Sequence, residues 1–246
     1  MPDSTEPHGT GLIAPILGVI LSNALYLSSF PAVRTAYQTG TLGSFNVLPT
    51  ALIVLSTNAW MAYAFTVPNP WIAASNLPGA VAAVGFTTVL LPIIPRERAY
   101  DRLQVQLVLV VGAMAMYSLW CYLIFANTSY AERKFIAGAY GSALCVILFA
   151  SPLSTAYEVV STGNAASIYA PLTATQVTNC LMWTIYGLSI GDVWVYGPNG
   201  TGLLLGLIQL ALKLIYPSNQ GKKNEETKHL TKESLSDVGS DNEQTV

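Results

Sequence analysis

Long apolar runs separated by short polar punctuation dominate the chain. A membrane-spanning helix needs about 20 mostly apolar residues. Seven segments meet that need, near 12–33, 47–66, 71–94, 103–126, 135–157, 170–189 and 195–216. From Tyr37 to Pro95 there is no Lys, Arg, Asp or Glu, so a bilayer is the natural solvent for that stretch. Pro31, Pro49, Pro78, Pro152 and Pro171 interrupt the runs. In a membrane bundle such prolines mark bends, because neighbouring groups re-satisfy the freed carbonyls. The polar segment 1–11 lacks a basic region, so no cleavable leader is expected and the run from Leu12 is read as a retained span. After Pro217 the composition turns to Ser, Asn, Glu, Lys and Asp. Segment 217–246 is therefore expected to be a disordered tail. Ser234, Ser236 and Ser240 could take phosphate there, the alternative being a plain solvated tail.

Composition strengthens the membrane assignment. Of 246 residues, 52% are apolar and 10% charged, against about 25% charged in a soluble domain. A net charge of −2 gives no case for a nucleic-acid partner. Cys121, Cys145 and Cys180 lie inside apolar runs without metal-ligand spacing and read as small core residues. Basic residues set the orientation. Arg34, Arg96, Arg98, Arg102, Lys213, Lys222, Lys223, Lys228 and Lys232 share one side, and only Arg133 and Lys134 take the other. The N-terminus is thus expected outside and the tail in the cytoplasm, with the Asn127-Thr-Ser sequon on the outer face.

The chain also repeats itself. At a shift of 123 residues, the distance from Trp60 to Trp183, Thr39-Gly40 meets Thr162-Gly163 and Ser44 meets Ser167. At the same shift Trp60-Met-Ala-Tyr63 meets Trp183-Thr-Ile-Tyr186, and Asn76-Leu-Pro-Gly79 meets Asn199-Gly-Thr-Gly202. Spans one to three then form one unit and spans five to seven another, with span four as connector. An odd connector makes the copies parallel, related by an axis along the membrane normal. The expected fold is all-α: seven transmembrane helices arranged as two parallel three-helix bundles (12–94 and 135–216) joined by a linker helix (103–126), or 3+1+3.

Such folds place a substrate between the copies, near the midplane. The paired residues there suit a sugar. Trp60 and Trp183 offer flat apolar faces to the C–H surfaces of a pyranose, and Asn76 and Asn199 offer donors and acceptors to hydroxyls. The competing reading bonds each asparagine to a neighbouring helix and places each tryptophan in an interfacial belt. No ionisable side chain is expected within the hydrocarbon core, since Glu158 and Asp192 fall at span ends. Coupled transporters usually need one, so a neutral solute moving down its gradient is favoured. No Walker motif and no catalytic constellation appear, and no cofactor is implied.

The segments Phe149-Ala-Ser-Pro152-Leu-Ser, Trp183-Thr-Ile-Tyr186-Gly-Leu and Pro198-Asn199-Gly-Thr-Gly202 resemble the second repeat of SWEET sugar transporters. The resemblance runs from Leu12 to Pro217, more closely in the second half. It implies facilitated, bidirectional transport of a mono- or disaccharide by alternating access. It implies pocket residues Asn76, Asn199, Trp60 and Trp183, and pivot prolines. Pro49 and Pro152 match directly, whereas Ser29 and Tyr169 stand at the other two positions with Pro31 and Pro171 two residues on. It also implies an outer gate pairing a tyrosine with an aspartate: Tyr186 and Asp192 have the spacing, and Tyr63 is the first-repeat counterpart. Pocket size in the family follows positions occupied here by Ser56, Asn179, Leu25 and Leu148. Leu25, Leu148 and Asn179 match the monosaccharide type, Ser56 the disaccharide type, and Asn58 is a candidate substitute amide. The reading taken is a hexose such as glucose, at the plasma membrane or an endomembrane.

Two other readings compete with a sugar transporter. Lys213 in the last span invites a retinal receptor, although its place near the cytoplasmic end favours a snorkelling lysine. A proton-coupled PQ-loop-type amino acid exporter lacks both its Pro-Gln dipeptide and a membrane carboxylate. Glycines 202 and 206 could pack helices within one protomer or between protomers of a homo-oligomer.

Overall fold

The computed structural model describes residues 12–43 and 45–217. Segment 1–11, Ser44 with its match to Ser167, and the tail carrying Ser234, Ser236 and Ser240 lie outside the described residues. The described chain is helical, with no strand. Its elements are α1 (Ile13–Leu27), α2 (Phe30–Thr39), α3 (Leu48–Thr66), α4 (Pro70–Leu90), α5 (Ala99–Phe125), α6 (Tyr130–Leu148), α7 (Ala150–Thr162), α8 (Ala170–Ser189) and α9 (Val193–Ile215). Helices α1 and α2 together make the first span, and α6 and α7 the fifth. Six of the seven spans are long and apolar enough to cross a membrane. The remaining one, α8, has 20 residues but carries Thr173, Thr175, Gln176, Thr178 and Asn179.

The spans run past the ends drawn from hydropathy. The first was expected to end at 33 and the fifth at 157, where polar residues begin. Both helices continue to Thr39 and Thr162 and stop where Gly40 (φ 66°) and Gly163 (φ 64°) turn left-handed. A left-handed residue ends a helix whatever the polarity of its last turn, and glycine adopts it without a Cβ clash. The repeated Thr-Gly landmark is therefore a helix stop. At the opposite end, Ser129 accepts from the Glu132 N–H at 3.2 Å and starts α6 before the charges of Glu132, Arg133 and Lys134.

Within each half the third helix lies between the other two. In the first half α4 packs against α1 and α3; in the second α9 packs against α6, α7 and α8. The halves meet along α1 with α8 and along α3 with α6, and the linker α5 packs on α3. This is the pseudo-twofold arrangement expected of parallel repeats. Glycines let the backbones close up. A Cβ on Gly112 would lie 2.3 Å from the Leu55 side chain, between α5 and α3. One on Gly206 would lie 2.5 Å from Val177, and one on Gly202 2.9 Å from Cys180. Glycines 202 and 206 thus pack α9 on α8 inside one chain.

The apolar cores divide unequally between the two ends. Along α3, Leu55, Ala59 and Ala62 pack with Met116 and Leu119 of the linker, and Ile136, Tyr140 and Leu144 of the other half lie against them. A further cluster joins both halves through buried residues of each: Ala14, Tyr63, Ala64 and Ile72 with Ala137, Trp183, Tyr186 and Val195. It lies at the end where α3 passes to α4 and α8 to α9. At the other end each half keeps its own core. Val33, Ala36, Val47 and Leu90 belong to the first half, and Val159, Ala165 and Ile168 to the second. The second helices of the broken spans follow suit, α2 packing on α4 and α7 on α9.

Candidate functional site

Two capping residues close the shared end. Asn69 starts α4, its side-chain oxygen accepting from the N–H of Trp71 (3.1 Å) and Ile72 (3.2 Å). Asp192 starts α9 in the same way, accepting from the Trp194 N–H at 3.2 Å. A side-chain acceptor there satisfies N–H groups that a first helical turn leaves unpaired. Each cap also reaches across to a tyrosine of the other half. Tyr63 donates to both carboxylate oxygens of Asp192, at 2.7 and 2.6 Å. Asn69 Nδ2 donates to the Tyr186 hydroxyl at 2.9 Å. Asp192 is buried, 4% exposed, and Lys134 of α6 lies 3.1 Å from its Oδ2. Lys134 and the Tyr63 hydroxyl together compensate a carboxylate that would be costly to bury alone.

The tyrosine–aspartate pairing differs from the one that matched by spacing. Asp192 binds Tyr63, not Tyr186, because its cap geometry at α9 faces across the interface to α3. Tyr186 takes Asn69 instead. Asn69 is the 123-residue counterpart of Asp192, so the repeat carried a signal that pairing by spacing alone missed. Lys134 had no such signal.

One layer further in, each tryptophan lies on a glycine of the other half. The ideal Cβ of Gly18 in α1 is 2.9 Å from the Trp183 ring, and that of Gly141 in α6 is 3.2 Å from Trp60. Gly18 and Gly141 are again 123 residues apart. Each tryptophan also stacks edge-on against the tyrosine three residues on, Trp60 on Tyr63 with centroids 5.7 Å apart and Trp183 on Tyr186 at 5.8 Å. Trp183 Nε1 donates to Ser22 at 3.1 Å, and the Ser22 hydroxyl donates to Asn179 Oδ1 at 3.0 Å. Tyr26, one turn on from Ser22, donates to Asn76 Oδ1 at 3.3 Å. Helix α1 thus links Asn76 with Asn179 and Trp183. Asn199 lies in α9, its Nδ2 donating to the Val195 carbonyl at 2.8 Å.

The other expected residues fall around this layer. Ser56, one turn before Trp60, is buried. Leu25 precedes Tyr26 near the end of α1, and Leu148 is the last residue of α6. Asn58 faces elsewhere: its Oδ1 accepts from Trp120 Nε1 of α5 at 3.0 Å, so it does not replace an amide at the position of Ser56. Among the named prolines, Pro31, Pro49 and Pro171 stand in the first turns of α2, α3 and α8. Pro152 is the third residue of α7, just past the break at Phe149, and its carbonyl accepts from Gln209 at 3.3 Å. The prolines inside continuous helix are Pro78 and Pro198, beside the two asparagines. Lys213 donates to the Ala165 carbonyl at 2.7 Å, which ties α9 to the loop before α8.

A sequence model of the family described as "Sugar efflux transporter for intercellular exchange" matches the chain twice, over residues 14–99 and 135–221. The chain belongs to the SWEET family. Curated SWEET relatives include "Bidirectional sugar transporter SWEET12" of Oryza sativa subsp. japonica, 27% identical over 85% of this chain and 68% of that protein. "Sugar transporter SWEET1" of Drosophila pseudoobscura pseudoobscura is 28% identical over 80% of this chain and 88% of that one. A solved structure described as a eukaryotic SWEET transporter superposes with a TM-score of 0.73 at 24% identity, covering 82% of this chain and 94% of the other. That likeness bears on the fold, which is the SWEET fold of two parallel three-helix bundles and a linker helix. The two sequence matches fall one on each half and leave α5 between them. Like its family, this SWEET chain is an integral membrane protein.

Proposed function

We propose that the chain is a facilitative sugar uniporter that carries a hexose such as glucose in either direction by alternating access. The observation that carries this reading is the difference between the two ends of the interface. One end is sealed by a core shared between the halves and by the Tyr63–Asp192 and Tyr186–Asn69 bonds. At the other end the halves keep separate cores. Between them lie Trp60, Trp183, Asn76 and Asn199, with Ser56, Asn179, Leu25 and Leu148 setting the pocket's size. Indole faces and amides are the chemistry that a neutral, hydroxyl-rich ring requires. With the N-terminus outside at the plasma membrane, the sealed end faces out and the end with separate cores faces the cytoplasm.

In this reading Tyr63, Tyr186, Asp192, Asn69 and Lys134 form the outer gate. The breaks at Ser28–Ser29 and Phe149 let α2 and α7 move with their own bundles while α1 and α6 stay on the shared seam. Pro31 and Pro152 lie beside those breaks, and Pro49 and Pro171 open the second helix of each bundle. The buried Asp192 is committed to Lys134 and Tyr63, which suits a structural gate better than a proton carrier. A fluorescence titration tests the pocket, since Trp60 and Trp183 would both touch the sugar. Glucose should quench the purified protein's tryptophan emission saturably. No response to glucose or sucrose from folded protein would refute the assignment.

A further inference from the structure

The two pocket asparagines occupy equivalent positions in the repeat but not equivalent surroundings. In the first half the Tyr26 ring lies over Gly79, whose ideal Cβ would stand 2.3 Å from it, and its hydroxyl donates to Asn76 Oδ1. Both amide hydrogens of Asn76 are also spent, on the Ile72 carbonyl at 2.8 Å and on Ser75 Oγ at 3.0 Å. In the second half the position 123 residues after Tyr26 is Phe149, which packs over Gly202, the counterpart of Gly79. Phenylalanine has no hydroxyl to give. Asn199 keeps one amide hydrogen and its whole carbonyl oxygen without a partner among the described residues, its single bond going to Val195.

We infer that Tyr26 is a positioning residue that locks Asn76, so that Asn199 alone makes the two-sided, donor-and-acceptor contact with the sugar. An amide can offer two hydrogens and two lone pairs. Asn76 has one lone pair left, and Asn199 has one hydrogen and two lone pairs. A donor and an acceptor on one amide fit two neighbouring hydroxyls of a pyranose. Asn76, with the tyrosine oxygen beside it, can only accept at its own carbonyl. The pocket is thereby handed, holding its sugar by one half more than by the other, although the backbone around it is nearly twofold.

This inference rests on the proposed sugar pocket, and the test separates the two. Half-saturation for glucose counterflow is measured in proteoliposomes for Asn76→Ala and Asn199→Ala, each with Tyr26 and with Tyr26→Phe. With Tyr26 present, Asn199→Ala should raise half-saturation about 30-fold and Asn76→Ala only about threefold, the loss of two hydrogen bonds against that of less than one. In the Tyr26→Phe background Asn76 is released to the sugar, and the penalty of Asn76→Ala should rise to about tenfold. A role for Tyr26 in packing alone would leave that penalty unmoved. Equal penalties at the two asparagines, or no change with Tyr26→Phe, would overturn the inference. If the parent protein moves neither glucose nor sucrose, the proposed function fails, and thermal unfolding in detergent still decides the lock. Tyr26→Phe and Asn76→Ala should then be non-additive. Additive losses would overturn it.

Discussion

Removing the Tyr63 hydroxyl should loosen the sealed end without unfolding the protein. Tyr63→Phe keeps the ring and its edge contact with Trp60 but deletes a donor 2.7 and 2.6 Å from the Asp192 oxygens. A hydrogen bond to a charged acceptor contributes about 1.5–3 kcal/mol. Asp192 would retain Lys134 and the Trp194 N–H, so the full penalty of an unpaired buried charge does not apply. A loss of about 2 kcal/mol by the closed end shifts its opening equilibrium about 30-fold. Ala14, 8% exposed and in the same cluster as Tyr63, reports on that opening. With Cys121, Cys145 and Cys180 replaced by alanine, Ala14→Cys is labelled by a membrane-impermeant thiol reagent applied at the gate end. Tyr63→Phe should speed labelling by about the same 30-fold if opening limits access. Tyr186→Phe, which loses only a bond between neutral groups, should speed it about fivefold. Unchanged labelling in Tyr63→Phe, with a normal melting profile, would refute the claim that this contact holds the end shut.

Other variants probe the rest of the interface. Gly18→Ala places a methyl 2.9 Å from Trp183; it should cost about 1–3 kcal/mol of stability and raise glucose half-saturation, as read by melting and counterflow. Gly141→Ala, with 3.2 Å to Trp60, should be milder in both assays. Asn58→Leu strands the Trp120 N–H and should cost about 1–3 kcal/mol in thermal unfolding, while the preference between glucose and sucrose stays the same. A changed preference would mean that position 58 faces the pocket. Lys213→Met should lower the melting temperature through loss of the tie to Ala165 and leave transport intact.

The architecture could be read from sequence because its signals are periodic and redundant. Seven apolar runs, a fixed 123-residue shift and an odd connector leave little choice of topology. The repeat also encodes contacts: Asn69 and Gly18 follow from Asp192 and Gly141 by the same shift. Contacts across the interface were less accessible. Whether Asp192 faces Tyr63 or Tyr186 depends on how a capping residue is aimed, and sequence spacing does not encode that direction. Asn58 shows the same limit, since two residues of offset on a helix turn a side chain from the face of Ser56 to the linker, where it meets Trp120. The span ends near 33 and 157 mark where the apolar runs stop, whereas the helices continue to left-handed Gly40 and Gly163. Lys134 and the Tyr26 hydroxyl have no equivalent in the other repeat, where Gly11 and Phe149 stand, so their contacts with Asp192 and Asn76 are visible only in the structure.

Counterflow distinguishes passive sugar transport by alternating access from coupled transport and from no transport at all. Proteoliposomes preloaded with unlabelled sugar, with no proton gradient, are offered radiolabelled glucose or sucrose. Labelled glucose should accumulate transiently above its equilibrium level, and an imposed pH gradient should not change it. No accumulation of either sugar by folded protein, or accumulation only under a proton gradient, would rule out passive sugar transport by this chain.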